Sequence, residues 1–154
     1  MTKSVTAAPH ILLVEDNPAD ADLVAEALAQ FTVPPRLSVV PDGEAALRFL
    51  GTKHHDRPPD VPDLIILDLN LPKKNGHEVL AAVKADDALR HIPVVIFTSS
   101  AAERDRFQAY HDHASCYITK PPDLDAFFHA FRTFEEFWIR VVSLPPPAAS
   151  SPAA

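Results

Sequence analysis

The segment Asp63-Leu64-Ile65-Ile66-Leu67-Asp68 constrains the fold more than any other part of the chain. It is a short apolar run without alternation, closed by an acid at each end. A strand with one wet face alternates apolar and polar residues. A strand that is apolar throughout needs both faces covered, as in a parallel sheet flanked by helices. Similar short runs occur at His10–Val14, Pro93–Phe97 and Ser115–Ile118, with a weaker one at Leu37–Val40.

Between these runs the spacing turns helical. Pro18–Phe31 places Ala21, Val24, Ala25 and Leu28 on one side, and Pro18 suits a first helical turn. Glu44–Leu50 gives a short helix after the turn Pro41-Asp42-Gly43. A third helix carries Val79, Leu80 and Val83, and Asp86–His91 either extends it or turns separately. Ala101–His113 is helical but weakly apolar, and Asp123–Val142 is a long last helix with Asp123 as its N-cap. Strand and helix therefore alternate five times. That order predicts an α/β fold, a doubly wound parallel sheet with right-handed connections and helices on both faces.

The chain of 154 residues suits one domain, expected at 10–144. Residues 1–9 read as a flexible lead-in, 51–62 as a polar, proline-rich loop, and 145–154 as a disordered Pro/Ala/Ser-rich tail. No apolar run is long enough to cross a bilayer and the start lacks a signal core, so a cytoplasmic protein without membrane contact is expected. The net charge of −7 argues against a nucleic-acid partner. Cys116 is the only cysteine, which excludes an internal disulfide, and it reads as a small buried side chain. His54, His55, His111 and His113 read as solvated rather than metal-binding.

In doubly wound sheets, ligands bind beyond the C-terminal strand ends. The polar residues gather there: Glu15, Asp16, Asp68, Asn70, Thr98, Ser99 and Lys120. Carboxylates brought together repel unless a cation neutralises them, and a hard, oxygen-preferring ion such as Mg²⁺ suits Glu15, Asp16 and Asp68. Asn70 would add its backbone carbonyl. Asp68, at the end of the most apolar strand, is the expected nucleophile, because a carboxylate can attack phosphorus and form an aspartyl phosphate. Lys120 would compensate charge on the phosphoryl oxygens. Thr98 would hydrogen-bond the new phosphoryl group, and Tyr117 would fill the space it leaves, a two-state switch. No phosphate-binding loop of the G-x-x-x-x-G-K-[ST] type is present, so the phosphoryl donor is expected to be another protein.

With these residues in place, the chain from about His10 to Val142 resembles the response-regulator receiver domain of two-component signalling. The resemblance rests on Ile11-Leu12-Leu13-Val14-Glu15-Asp16-Asn17, on Asp63 through Pro72, on Gly76, on Pro93–Thr98 and on Lys120-Pro121. It implies the flavodoxin-like receiver fold with strand order 2-1-3-4-5. It further implies a histidine kinase as donor, Asp68 as the residue modified to 4-aspartylphosphate, and Mg²⁺ held by Glu15, Asp16, Asp68 and Asn70. Thr98 and Tyr117 become the switch pair, Lys120 the essential lysine, and the Lys120–Pro121 peptide is expected to be cis. The activity implied is self-phosphorylation from a donor and autodephosphorylation, not steady turnover. The ending Phe134-Glu135-Glu136-Phe137-Trp138, with Leu144-Pro145, is similar to stand-alone regulators that partner phytochrome-type kinases.

No effector segment is expected after residue 144, so output is expected through protein contacts or a phosphorelay. The last helix carries Leu124, Phe127, Phe128, Phe131, Phe134, Phe137, Trp138, Val141 and Val142. These span about 200° of its circumference, wider than the ~100° stripe that packing on one sheet needs. A homodimer through this helix is expected, with kinase docking as the other use of that surface. The rival readings are a phosphorylation-independent scaffold of the same fold, a metal-dependent phosphatase and a flavin mononucleotide carrier. Asp68-Leu69-Asn70 lacks the second acid of such phosphatases, and the acids at 15–16 contradict a flavin phosphate loop.

Overall fold

A computed structural model describes residues 8–51 and 61–140, giving only the course of the backbone at 138–140. The expectations for the lead-in 1–7, most of the 51–62 loop, Val141, Val142, the Trp138 side chain and the 145–154 tail lie outside the described residues.

Among the described residues, five strands and five helices alternate. They are β1 (His10–Val14), α1 (Pro18–Ala29), β2 (Arg36–Val40), α2 (Gly43–Leu50), β3 (Leu64–Leu67), α3 (Gly76–Ala85), β4 (Val94–Thr98), α4 (Glu103–His111), β5 (Cys116–Thr119) and α5 (Leu124–Arg140). All strand pairs are parallel, and the sheet order is β2-β1-β3-β4-β5. The order reverses after β1, so the crevice between β1 and β3 is the switch point where such folds bind ligands.

The apolar runs are continuous because the sheet is covered twice. Leu12, Val14, Ile65 and Leu67 face a core shared with Ala46, Leu47, Val79, Leu80 and Ala109 of α2, α3 and α4. Ile11, Leu13, Leu64 and Ile66 face the opposite core, with Val24 and Leu28 of α1 and Phe127 and Phe131 of α5. Neighbouring residues on one strand thus serve different layers. The edge strand β2 is only half-buried, which explains its weaker apolar signal.

Helix starts follow local chemistry. Asn17 caps α1 by accepting from the Ala19 and Asp20 amides, and Pro18 follows at the first position. Asn75 and Glu78 form a reciprocal capping box on α3. Asp123 accepts from the Ala126 amide at the start of α5, as the sequence suggests. The segment after α3 turns separately. Lys84 Nζ donates to the carbonyls of Arg90 and Ile92 at 3.0 and 2.7 Å, closing this turn over α3.

One expectation is overturned. No cis peptide bond occurs among the described residues, so Lys120–Pro121 is trans. The trans form is the ordinary preference by about 0.5–1 kcal/mol. The Lys120 amide continues the sheet by donating to the Thr98 carbonyl at 2.7 Å, and the side chain reaches Asp68.

Candidate phosphoacceptor and metal site

Glu15, Asp68 and Lys120 each follow the last residue of a strand and are fixed there by a backbone bond to the neighbouring strand, and Thr98 is itself the last residue of β4. The Glu15 amide donates to the Val40 carbonyl at 3.0 Å, the Asp68 amide to the Val14 carbonyl at 3.2 Å, and the Lys120 amide to the Thr98 carbonyl at 2.7 Å. The register sets Val14 beside Leu67 and Thr98 beside Thr119. Parallel pairing therefore brings four chain-distant ends to one edge.

Glu15, Asp16 and Asp68 each offer a carboxylate oxygen, and these atoms lie within 4.8 Å of one another. Glu15 and Asp68 are buried and Asp16 is exposed. Such a set of hard oxygen donors, open on one side to water, fits a divalent cation that keeps part of its hydration. The exposed Asn70 belongs to the loop after β3, and its amide donates to Asp68 Oδ1 at 3.1 Å.

Lys120 Nζ lies between three carboxylates: Glu15 Oε1 at 2.9 Å, Asp20 Oδ2 at 2.8 Å and Asp68 Oδ2 at 3.0 Å. An ammonium has three donors, and each finds an acceptor. Burial alone would lower the Lys120 pKa, but the hydrogen bonds it donates to Asp20, Glu15 and Asp68 outweigh it and hold the pKa above the ordinary lysine value. Glu15 moves the other way from a normal ion-pair partner. Its loss of water raises it first, Lys120 opposes the rise, and the nearby Asp68 charge adds to it. The two directions agree once charges are counted. Glu15, Asp16, Asp20 and Asp68 bring four negative charges against one ammonium, leaving three uncompensated. The pocket is short of positive charge.

Thr98 is fully buried at the end of β4, and its Oγ1 accepts from the Ser100 amide at 3.4 Å. Tyr117, in the middle of β5, donates its hydroxyl to the Ser100 carbonyl at 3.0 Å, and the Arg106 guanidinium lies 5.1 Å from its ring centre. Thr98 and Tyr117 therefore meet at one residue, Ser100. Asp105 extends this network: it accepts from the Ser100 hydroxyl at 2.5 Å and pairs with His77 Nε2 of α3 at 3.1 Å.

Glycines hold the Asp68 loop close. A Cβ on Gly76 would lie 2.4 Å from the Asp68 carbonyl oxygen and 2.6 Å from Leu69 Cα. One on Gly43 would lie 2.0 Å from the Lys74 carbonyl oxygen. Both contacts are with backbone, so neither neighbour can yield by rotating a side chain.

The structure brings together Glu15, Asp16, Asp68 and Lys120, with Asn70 at the rim and Thr98 and Tyr117 beside them. Sequence reasoning missed Asp20, Ser100, Asp105 and His77. Asp20 was within reach, because Asn17-Pro18 marks a helix start and places residue 20 in its first turn. The Asp105–His77 pair carries no local signal, since α3 and α4 meet only in the folded chain. Of the histidines read as solvated, His111 and His113 are exposed and His54 and His55 lie outside the described residues.

The alternating layers, the strand order and the acid–lysine–hydroxyl edge define a receiver domain. The family model for the response regulator receiver domain matches residues 11–132, and the chain belongs to that family. Response regulator Rcp1 of Synechocystis sp. (strain ATCC 27184 / PCC 6803 / Kazusa) is 44% identical over 135 residues, covering 88% of this chain and 92% of Rcp1. The probable methanogenesis regulatory protein FilR2 of Methanothrix harundinacea (strain 6Ac) is 38% identical over 138 residues, covering 90% of this chain and 88% of FilR2. Among solved structures, the phosphorylated cyanobacterial phytochrome response regulator RcpA superposes with a TM-score of 0.84 at 46% identity, over 91% of this chain and all of RcpA. The Mn²⁺-bound form of Rcp1 gives 0.81 at 44% identity, over 90% of this chain and 99% of that one. The site is thus the family's phosphorylation and metal-coordination site with a Thr/Tyr switch, and it holds a metal-coordinating cluster. The family works with histidine kinases. No described helix is long and apolar enough to cross a membrane.

Proposed function

We propose that this protein accepts a phosphoryl group from a histidine kinase onto Asp68 and signals through the loop joining Thr98 to α4. The observation that carries the assignment is the Lys120 ammonium 3.0 Å from Asp68 Oδ2, at a carboxylate cluster that fits a divalent ion. An Asp68 oxygen forms its bond to phosphorus as the P–N bond of the donor phosphohistidine breaks. The departing imidazole takes its proton from solvent. With a small acyl phosphate the bond broken is P–O, and a carboxylate leaves without a proton.

Mg²⁺ bound by Glu15, Asp16, Asp68 and the Asn70 carbonyl would supply the positive charge that the transferring phosphoryl oxygens require. Lys120 adds the second positive charge and orients one oxygen. Thr98, already facing the Ser100 amide, donates its hydroxyl to another. That movement draws on Ser100 and releases the Tyr117 hydroxyl, coupling the chemistry to the surface of α4. The likeness to RcpA, a cyanobacterial phytochrome response regulator, supports a phytochrome-type sensor kinase as the partner. The same reading places the protein in the cytoplasm.

The test is intact mass after incubation with Mg²⁺ and acetyl phosphate. A single phosphate-sized adduct is expected, lost in EDTA and absent from Asp68→Asn. Well-folded protein that takes no adduct from either acetyl phosphate or kinase would return the chain to the scaffold reading.

A homodimer through α5 is part of this proposal. Phe127 and Phe131 are buried against the sheet, yet Leu124 and Phe137 remain about half exposed on the same helix. Both side chains are available to a second copy of the chain. Light scattering should give twice the chain mass, and Phe137→Glu should give a monomer. A monomer for the unaltered chain across micromolar concentrations removes this part.

A further inference from the structure

We propose that Asp20 is a positioning residue for the phosphoryl transfer, tethering the Lys120 amine from the first turn of α1. This rests on the reading of Asp68 as phosphoacceptor. It is carried by a difference between Asp20 and the other acids at the edge.

Glu15 and Asp68 contact Lys120, but both also belong to the group of carboxylates close enough to share a metal ion. Asp20 contacts Lys120 at 2.8 Å and is not in that group. A divalent ion entering the site would draw on Glu15 and Asp68, and a phosphoryl group would occupy an Asp68 oxygen. Either event weakens two of the three bonds that hold the amine. The bond to Asp20 is the one neither event consumes.

Geometry gives that bond its leverage. The Asp20 side chain is 30% exposed, against 1% for Glu15 and 6% for Asp68, so it closes the solvent side of a lysine that is itself only 12% exposed. A lysine is a flexible stem with a rotatable head, and its reach alone does not fix where the charge sits. Exposed ion pairs contribute little because water competes for both partners. Here one partner is mostly out of water. Asp20 itself is held by the cap: its amide donates to Asn17 Oδ1 at 3.2 Å. The tether therefore runs from the loop after β1, through α1, to the end of β5.

Phosphoryl transfer is catalysed mainly by placing charge, so a loosened Lys120 should lower the maximal rate without changing how donor or metal binds. The test uses the full chain with acetyl phosphate and Mg²⁺, comparing Asp20→Ala, Asp20→Asn and Asp20→Glu. Asp20→Ala is expected to cut the maximal rate of Asp68 phosphorylation about tenfold, with the half-saturating donor concentration unchanged. Asp20→Glu should restore much of it and Asp20→Asn little. Free-Mn²⁺ titration should show affinity within twofold of the unaltered chain. In metal-free protein, reductive methylation of the Lys120 amine, read by peptide mass, should run several-fold faster in Asp20→Ala.

A rate within twofold, with Lys120 equally shielded, overturns the proposal. So does a tenfold loss of Mn²⁺ affinity, which would make Asp20 a ligand. If the unaltered chain takes no phosphate, the reading of Asp68 falls and the positioning role with it. Phosphorylation that ignores Asp20 overturns the positioning role alone.

Discussion

At the residue scale the site depends on atoms that are absent as much as on charges that are present. Gly76 lets the α3 start lie directly on the backbone of Asp68 and Leu69, with its amide donating to the Leu69 carbonyl at 3.0 Å. A methyl group there meets a carbonyl oxygen at 2.4 Å, and something must move. Overpacking of this sort costs about 1–3 kcal/mol. Gly76→Ala should lower stability by that amount in urea unfolding and also slow Asp68 phosphorylation, because the displaced backbone carries the nucleophile. Unchanged phosphorylation kinetics would show that the loop shifts without moving Asp68. Asp105 gives a prediction in pH. The Ser100 hydroxyl, and after it His77, hold its carboxyl below the usual carboxylate range. A folded pKa below the unfolded one means the unfolded chain binds the proton first. The stabilisation is therefore present above the ordinary value of about 4 and fades as pH falls through the folded pKa. Asp105→Asn should be less stable than the unaltered chain at pH 7, and the gap should narrow in urea melts taken below pH 4.

At the scale of elements, the strands were legible because burial on two faces removes alternation, and each apolar run maps onto a strand within a residue of its expected ends. Asp63 reads as part of β3 from its neighbours, yet its side chain accepts from the His10 amide at 2.8 Å and stays just outside the strand. The site acids and Lys120 were legible for the same reason, since a polar residue ending a buried strand has only the sheet edge to occupy. The His77–Asp105–Ser100 chain was not, because contacts between chain-distant elements leave no period in the sequence. Nor could the sequence show how the segment after α3 ends. Lys84 decides that by donating to two carbonyls of the following turn, and burial lowers its pKa. Lys84→Met keeps the stem and removes the donors, leaving the partly buried Ile92 carbonyl unpaired. A loss of about 1–2 kcal/mol is expected in chemical unfolding. Hydrogen exchange should rise first at the amides of residues 89–92, and uniform exchange across the domain would argue against a local clasp.

At the scale of the whole molecule, the charge imbalance at the strand ends should appear in global stability. The chain carries a net charge of −7, and the site concentrates four carboxylates around one ammonium. In the absence of a divalent ion, that repulsion is part of the cost of folding, because the unfolded chain separates the same groups. Asp16 is the cleanest place to relieve it. It is exposed and takes part in none of the three Lys120 contacts, whereas Glu15, Asp20 and Asp68 would each lose an ion pair on neutralisation. Asp16→Asn should therefore melt at a higher temperature than the unaltered chain in EDTA. Added Mg²⁺ or Mn²⁺ should reverse the order. An ion bound only by the folded state stabilises it by about 2.7 kcal/mol at a hundred times its dissociation constant, a gain the variant should largely lose. Melting curves of both proteins across a metal titration, at constant ionic strength, separate this from screening. If the two respond alike, Asp16 is no ligand and the charge deficit is met without it. If the curves cross, one carboxylate both destabilises the empty domain and creates its affinity for the ion.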